Sequence, residues 1–211
     1  MRKLLYLKSM FMIPTILFFL SACTNDKPTV DSFLSQQKQV SEACTTAAAD
    51  TYLYLVTPQQ QEMGRILVKV SANNYTINDI QRGLAVEIDR RAKVLDKTSK
   101  AIKDASQSVT KLTELANSIK DSEIRIAAVA IAKNYDEMLA ASDKIIIAQN
   151  QRSAAVEQFL NFLLGQEKAP KKTTFTESDD EQDKWWKILQ DKIGNEKILL
   201  ATFNGIAKRR L

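Results

Sequence analysis

Residues 84–119 read LAVEIDRRAKVLDKTSKAIKDASQSVTKLTELANSI. Stepping four then three from Leu84 lands on Ile88, Arg91, Leu95, Thr98, Ile102, Ala105, Val109, Leu112, Ala116 and Ile119. Every place but Arg91 and Thr98 is apolar. A four-three alternation keeps returning to one side of a helix, so this stretch predicts a long helix with one packed face. Asp121 and Ser122 interrupt the pattern and suit a turn followed by an N-cap. A second seam then runs through Ile124, Ala128, Ile131, Tyr135, Met138, Ser142, Ile145, Gln149, Arg152, Val156, Phe159 and Leu163. Gly165 stands where a helix C′ residue is expected.

If the chain folds back at 120–122, the seams oppose each other with a nearly constant sum of residue numbers. Ile119 meets Ile124, Ala116 meets Ala128, Leu112 meets Ile131 and Val109 meets Tyr135. Farther out, Ala105 meets Met138, Ile102 meets Ser142, Thr98 meets Ile145, Leu95 meets Gln149 and Arg91 meets Arg152. Ile88 opposite Val156 and Leu84 opposite Phe159 complete the set. Two regular heptads about a tight turn match in this way almost automatically, so the match fixes register and names no family. Small-against-large layers, Ala105 on Met138 and Ser142 on Ile102, allow interdigitation. The expectation is an antiparallel hairpin over 77–164. It forms the spine of an all-α, elongated up-down helical bundle spanning 29–165. Only five glycines and four prolines in 211 residues agree with long helices.

Working outward, Phe33, Val40, Cys44, Ala47 and Tyr54 predict a first helix over 29–56. Thr57, Pro58 and Gln60 read as an N-cap with proline at the first helical position. A shorter helix carrying Met63, Ile66, Leu67 and Val70 should end near Asn73 and Asn74. Downstream of the hairpin, 166–178 reads as an exposed linker rich in lysine and threonine. Ser178 and Glu181 then form a capping box for an amphipathic helix over 179–211, with a break expected near Gly194 and Asn195.

The N-terminus has a different character. Arg2, Lys3 and Lys8 precede an apolar stretch from Met10 to Leu20, interrupted by Pro14 and followed by Ser21, Ala22 and Cys23. The run is too short to span a bilayer. Basic head, short apolar run and small residues before a cysteine together resemble the signal and lipobox of a bacterial lipoprotein. That resemblance implies a signal peptide over 1–22, removal before Cys23, and acylation of Cys23 with palmitate-type chains. Two or three chains anchor stably where one exchanges. A polar tether over 23–28 would join the lipid to the fold. The implied location is extracytoplasmic, anchored to the outer membrane of a Gram-negative cell or the outer face of a Gram-positive plasma membrane. The layout of lipobox, short tether and long charged helices also resembles the helical cell-wall-binding lipoproteins of Gram-positive bacteria, in architecture only.

Charge and chemistry narrow the function further. The net charge of +5 includes the three basic residues of 1–22, which contain no acid; taking them away leaves 27 basic against 25 acidic side chains. A global basic field for nucleic acid is therefore not expected. Histidine is absent, which removes the commonest general base and metal ligand. No phosphate loop, nucleophile elbow or paired-cysteine motif occurs, and Asp179, Asp180, Glu181 and Asp183 lack the spacing of a calcium loop and suit a helix dipole instead. No cofactor, metal or catalysis is expected. With Cys23 acylated, Cys44 is left as a small buried apolar residue or, alternatively, an intermolecular disulfide partner.

Three sets of residues are candidate sites beside Cys23. Arg91 and Arg152 share one layer of the seam. They either snorkel or pair with acids such as Glu87 and Glu157, or, with Gln149 one layer away, grip an anion. Trp185 and Trp186 beside Lys184 and Lys187 either pack on the hairpin or dock on a membrane or glycan surface. The run Lys208, Arg209 and Arg210 could assist such docking. The function expected is a lipid-anchored envelope protein acting as a structural or interaction module, toward an envelope protein or the cell wall. The alternative is a membrane-active helical protein, similar in outline to bundle-type pore formers or phage exclusion lipoproteins. Its best inserting segment, Ala154 to Leu164, is short and interrupted by Glu157, Gln158 and Asn161.

Overall fold

The computed structural model describes residues 26–55, 58–90 and 96–211. The expected signal peptide over 1–22, Cys23, Thr57, Arg91 and Leu95 lie outside the described residues. Among these, the chain forms six helices and no strand: α1 (Lys27–Leu55), α2 (Pro58–Ser71), α3 (Ile77–Arg90), α4 (Asp96–Ser118), α5 (Ser122–Leu163) and α6 (Lys172–Arg210).

The turn between α4 and α5 falls where the seams meet. Asp121 caps α5, its carboxylate accepting from the backbone N–H groups of Glu123 and Ile124 at 3.0 and 3.1 Å. Of the opposed pairs, the seven from Ile119–Ile124 out to Thr98–Ile145 are buried on both sides. At the other end of α5, Gly165 has φ +74°; Gly165 N–H donates to Phe162 O and Gln166 N–H to Asn161 O. This is a Schellman ending, and the positive φ explains the glycine.

Long-range contacts set the direction of every helix in the body. Asp26, just before α1, accepts from the N–H groups of Lys120 and Asp121 at 2.9 and 2.6 Å, so α1 starts at the turn. Arg210, at the end of α6, pairs with Asp121 at 2.9 Å, so α6 ends there. Between them, Phe33 packs on Phe203 with ring centroids 5.1 Å apart and Tyr52 stacks on Trp186 at 5.5 Å. The result is an up-down-up-down four-helix body of α1, α4, α5 and α6. At 1.5 Å per residue, the 42 residues of α5 extend about 63 Å.

α2 and α3 form a separate antiparallel pair on the far half of α5. Their buried residues Met63, Ile66, Val70 and Ile80 join Val156 and Leu160 in a second apolar cluster, distinct from the body core. Gly83 marks the closest approach: a Cβ there would lie 3.2 Å from Leu160 Cδ1 and 3.4 Å from Ile66. Thr76 and Asp79 make a capping box for α3, with Thr76 N–H donating to Asp79 and Asp79 N–H to the Thr76 hydroxyl. Asn73, at φ +51°, follows the end of α2.

Several expected boundaries are corrected. The tether does not reach residue 28, because α1 already begins at Lys27 and Asp26 is buried on the turn. The first hairpin arm leaves the expected register at Ile88, which is expected opposite Val156 and is 55% exposed. In α3 the buried positions are Asp79, Ile80, Gly83 and Glu87, a face turned to meet α2 and α5 together. The linker ends early, since α6 begins at Lys172 rather than 179. Phe175 packs against the second cluster, and that burial carries the helix upstream past the supposed cap. Ser178 accordingly lies inside α6, its hydroxyl donating to Phe175 O. No break occurs at Gly194 and Asn195, because buried Glu196 and partly buried Ile193 on either side hold the helix to the body.

Candidate functional site

One buried polar cluster is one the sequence reading did not single out. Gln37 Nε2 donates to the Tyr135 hydroxyl at 2.7 Å. The Tyr135 hydroxyl donates to Glu196 Oε1 at 2.7 Å, and the Ser41 hydroxyl donates to the same oxygen at 2.6 Å. Gln37, Tyr135 and Glu196 are all buried and come from α1, α5 and α6, so the network ties three helices together at one level. Its signal was present in the stripes: Gln37 falls between Phe33 and Val40, and Glu196 between Ile193 and Leu200, at positions that otherwise face the core.

The electrostatics of this network oppose reactivity. Burial, followed by the nearby Glu196 carboxylate, raises the Tyr135 hydroxyl far above its ordinary range. The same two causes push the Cys44 thiol up to about 12. A thiol so protonated is a poor nucleophile and packs as an apolar residue. Cys44 is free and buried, in keeping with its reading as a core residue.

Arg152 does not stand unpaired. Its Nε donates to Asp179 Oδ1 of α6 at 2.7 Å, a partner that neither Glu87 nor Glu157 anticipated. Gln149 is buried one turn away, and Arg91 lies outside the described residues. Around it a polar band crosses the helices: Thr51, Glu87, Thr98, Gln149, Ser153 and Ser178 are all buried. On each helix the band falls beside or between the residues of the two apolar clusters.

Trp185 and Trp186 are partly buried against the body core. Trp186 stacks on Tyr52, while the Trp185 indole N–H donates to Glu181 at 2.8 Å and Lys184 lies 5.1 Å from its ring. The terminal basic run is drawn to the turn: Arg210 reaches Asp121 and, at 3.8 Å, Glu123. Lys208 and Arg209 are exposed at that same end.

The surface grooves are shallow. One of about 340 Å³ between α5 and α6 is lined by Lys133, Asn134, Glu137, Lys192 and Asn195, with Ile198 at its edge. Lys192 and Lys133 pair with Glu137 at 2.7 and 3.8 Å, which depresses the carboxyl below its usual range mainly through the Lys192 hydrogen bond. Among the described residues there is no group of three or more ligating side chains able to hold a metal ion. No family model, curated protein or solved structure matches the chain.

Proposed function

We propose that the chain is a lipid-anchored envelope protein whose long helical body acts through its surface, as a structural or interaction module toward an envelope protein or the cell wall. The observation that carries this reading is the sequence Leu20-Ser21-Ala22-Cys23 after a short apolar run with a basic head. The body supports it by offering an extended, cross-braced rod whose buried polar groups serve helix-to-helix bonding. Val68, Tyr75, Ile77, Ile88 and Phe162 are exposed toward the α2–α3 end, where they add apolar area to the surface. No described helix is long and apolar enough to cross a membrane.

The test is acylation at Cys23. Wild type should incorporate labelled palmitate and partition into detergent, and Cys23→Ser should do neither. A serine variant that stays membrane-bound to the wild-type extent, together with unlabelled wild type, would sink the proposal.

A further inference from the structure

The bundle has two unlike ends, and its start and its basic tail meet at one of them. Asp26 is 5% exposed, with both carboxylate oxygens on backbone N–H groups of the α4–α5 turn. That clamp fixes the beginning of α1 to the turn, and Cys23 lies three residues upstream. Three residues reach at most about 10 Å. An acyl group on Cys23 would therefore hold the turn end close to the bilayer, while α5 runs about 63 Å away from it.

The side chains gathered at the turn end suit that placement. Lys27, Arg125, Lys208, Arg209 and Arg210 lie in the first or last turns of the helices at the turn end, and Lys120 in the turn itself. The acids there are Asp26, Asp31, Glu114, Asp121 and Glu123. Asp26 is turned inward onto backbone, and Asp121 is held by backbone N–H groups and Arg210. The far end is cationic as well, with Glu62, Arg65, Lys69, Asp79 and Arg82 paired among themselves and Lys168 and Lys171 exposed beside Glu167 past the end of α5, but it lies about 63 Å along α5 from the anchor. An excess of cations beside an acyl anchor suits an anionic lipid surface, where each contributes at most about fivefold in partitioning.

We propose that the turn end is a docking surface for anionic phospholipid, on which the body stands and carries the α2–α3 pair outward. This rests on the acylation of Cys23. The test uses the full chain made in a lipoprotein-processing host, with acylation established by its mass. Fluorophores are placed through Ser122→Cys at the turn and, separately, Ser71→Cys at the far end, both exposed positions. The protein is reconstituted in phosphatidylcholine vesicles with and without phosphatidylglycerol, carrying a headgroup quencher.

The label at 122 should be quenched severalfold more than the label at 71, and more strongly with phosphatidylglycerol. Lys120→Glu with Arg209→Glu should remove the phosphatidylglycerol increment and leave the acylated mass unchanged. Equal quenching at the two positions, or stronger quenching at 71, in acylated protein overturns the orientation. An ordering indifferent to phosphatidylglycerol and to the charge reversal overturns the anionic-lipid contact. Absence of the acyl mass is a failure of the Cys23 reading instead, and is seen before any quenching is measured.

Discussion

The four-helix body and the α2–α3 pair are built from the same kinds of residue but held by different means. In the body, apolar seams from α1, α4, α5 and α6 close around Phe33, Leu112, Tyr135 and Phe203, all fully buried. Its ties link residues far apart in sequence: Asp26 to the turn, Arg210 to Asp121, Ser41 and Tyr135 to Glu196. The α2–α3 pair has a small cluster under it and ion pairs between near neighbours, such as Lys69 to Asp79 and Arg82 to Glu62. Local opening free energy follows buried apolar contact, so the pair should open before the body does.

Matched truncations put the largest strain on this comparison. Phe203→Ala in the body should cost about 3–5 kcal/mol and lower the cooperative melt of the whole chain. Ile66→Ala under the pair should cost about 2–5 kcal/mol by the same mechanism. Its effect should concentrate in α2 and α3, read as faster amide exchange there while α4 and α5 keep their protection. Loss of protection spread evenly over all six helices by Ile66→Ala would mean that the two regions are one cooperative unit.

The difference between the regions also explains what the sequence disclosed. The α4–α5 turn and the seven innermost layers were legible because both helices repeat a four-three seam broken only by the small polar residues Thr98 and Ser142, and because Asp121 is a good cap. The seam misled at Ile88, since α3 must satisfy α2 and α5 at once and so turns a different face inward. Glu196 and Gln37 were hidden for a related reason: a single polar residue in an apolar stripe reads as an imperfection until its partner helix is known. Helix α6 began earlier than its capping box because Phe175 finds tertiary burial that no local signal reports. The proposed acylation of Cys23 is of another kind, since it rests on a sequence resemblance at Leu20-Ser21-Ala22-Cys23 and not on the bundle.

A smaller effect is expected from Tyr135→Phe, which sharpens the account of the body. The substitution keeps the ring and deletes one hydroxyl, so Glu196 loses one of its two donors and Gln37 loses its acceptor. Leaving buried polar groups short of a partner costs about 1–3 kcal/mol. Pairing the change with Glu196→Gln should recover part of the loss, because an amide is less costly than a carboxylate to bury with fewer hydrogen bonds. Additive losses in the double-mutant cycle would show that the two side chains act independently, and the network would then not be what braces α5 to α6.

The smallest effect concerns the α2–α3 pair and its dependence on pH. Asp79 accepts from Lys69, from Thr76 N–H and from the Thr76 hydroxyl, and these bonds, the Lys69 bond first, hold its carboxyl well below the usual range. A depressed folded value means that the unfolded chain takes up the proton first. The stabilisation is therefore fully present above the ordinary aspartate value of about 3.9 and is lost as pH falls below it toward the folded value. Lys69 and Arg82 are about half exposed, so solvent screens their share and the effect stays modest. Asp79→Asn should speed exchange in α2 and α3 relative to wild type at neutral pH, and the gap should narrow as the pH drops below about 4. A gap that is unchanged down to the acid limit would assign the contribution of Asp79 to its shape in the turn and not to its charge.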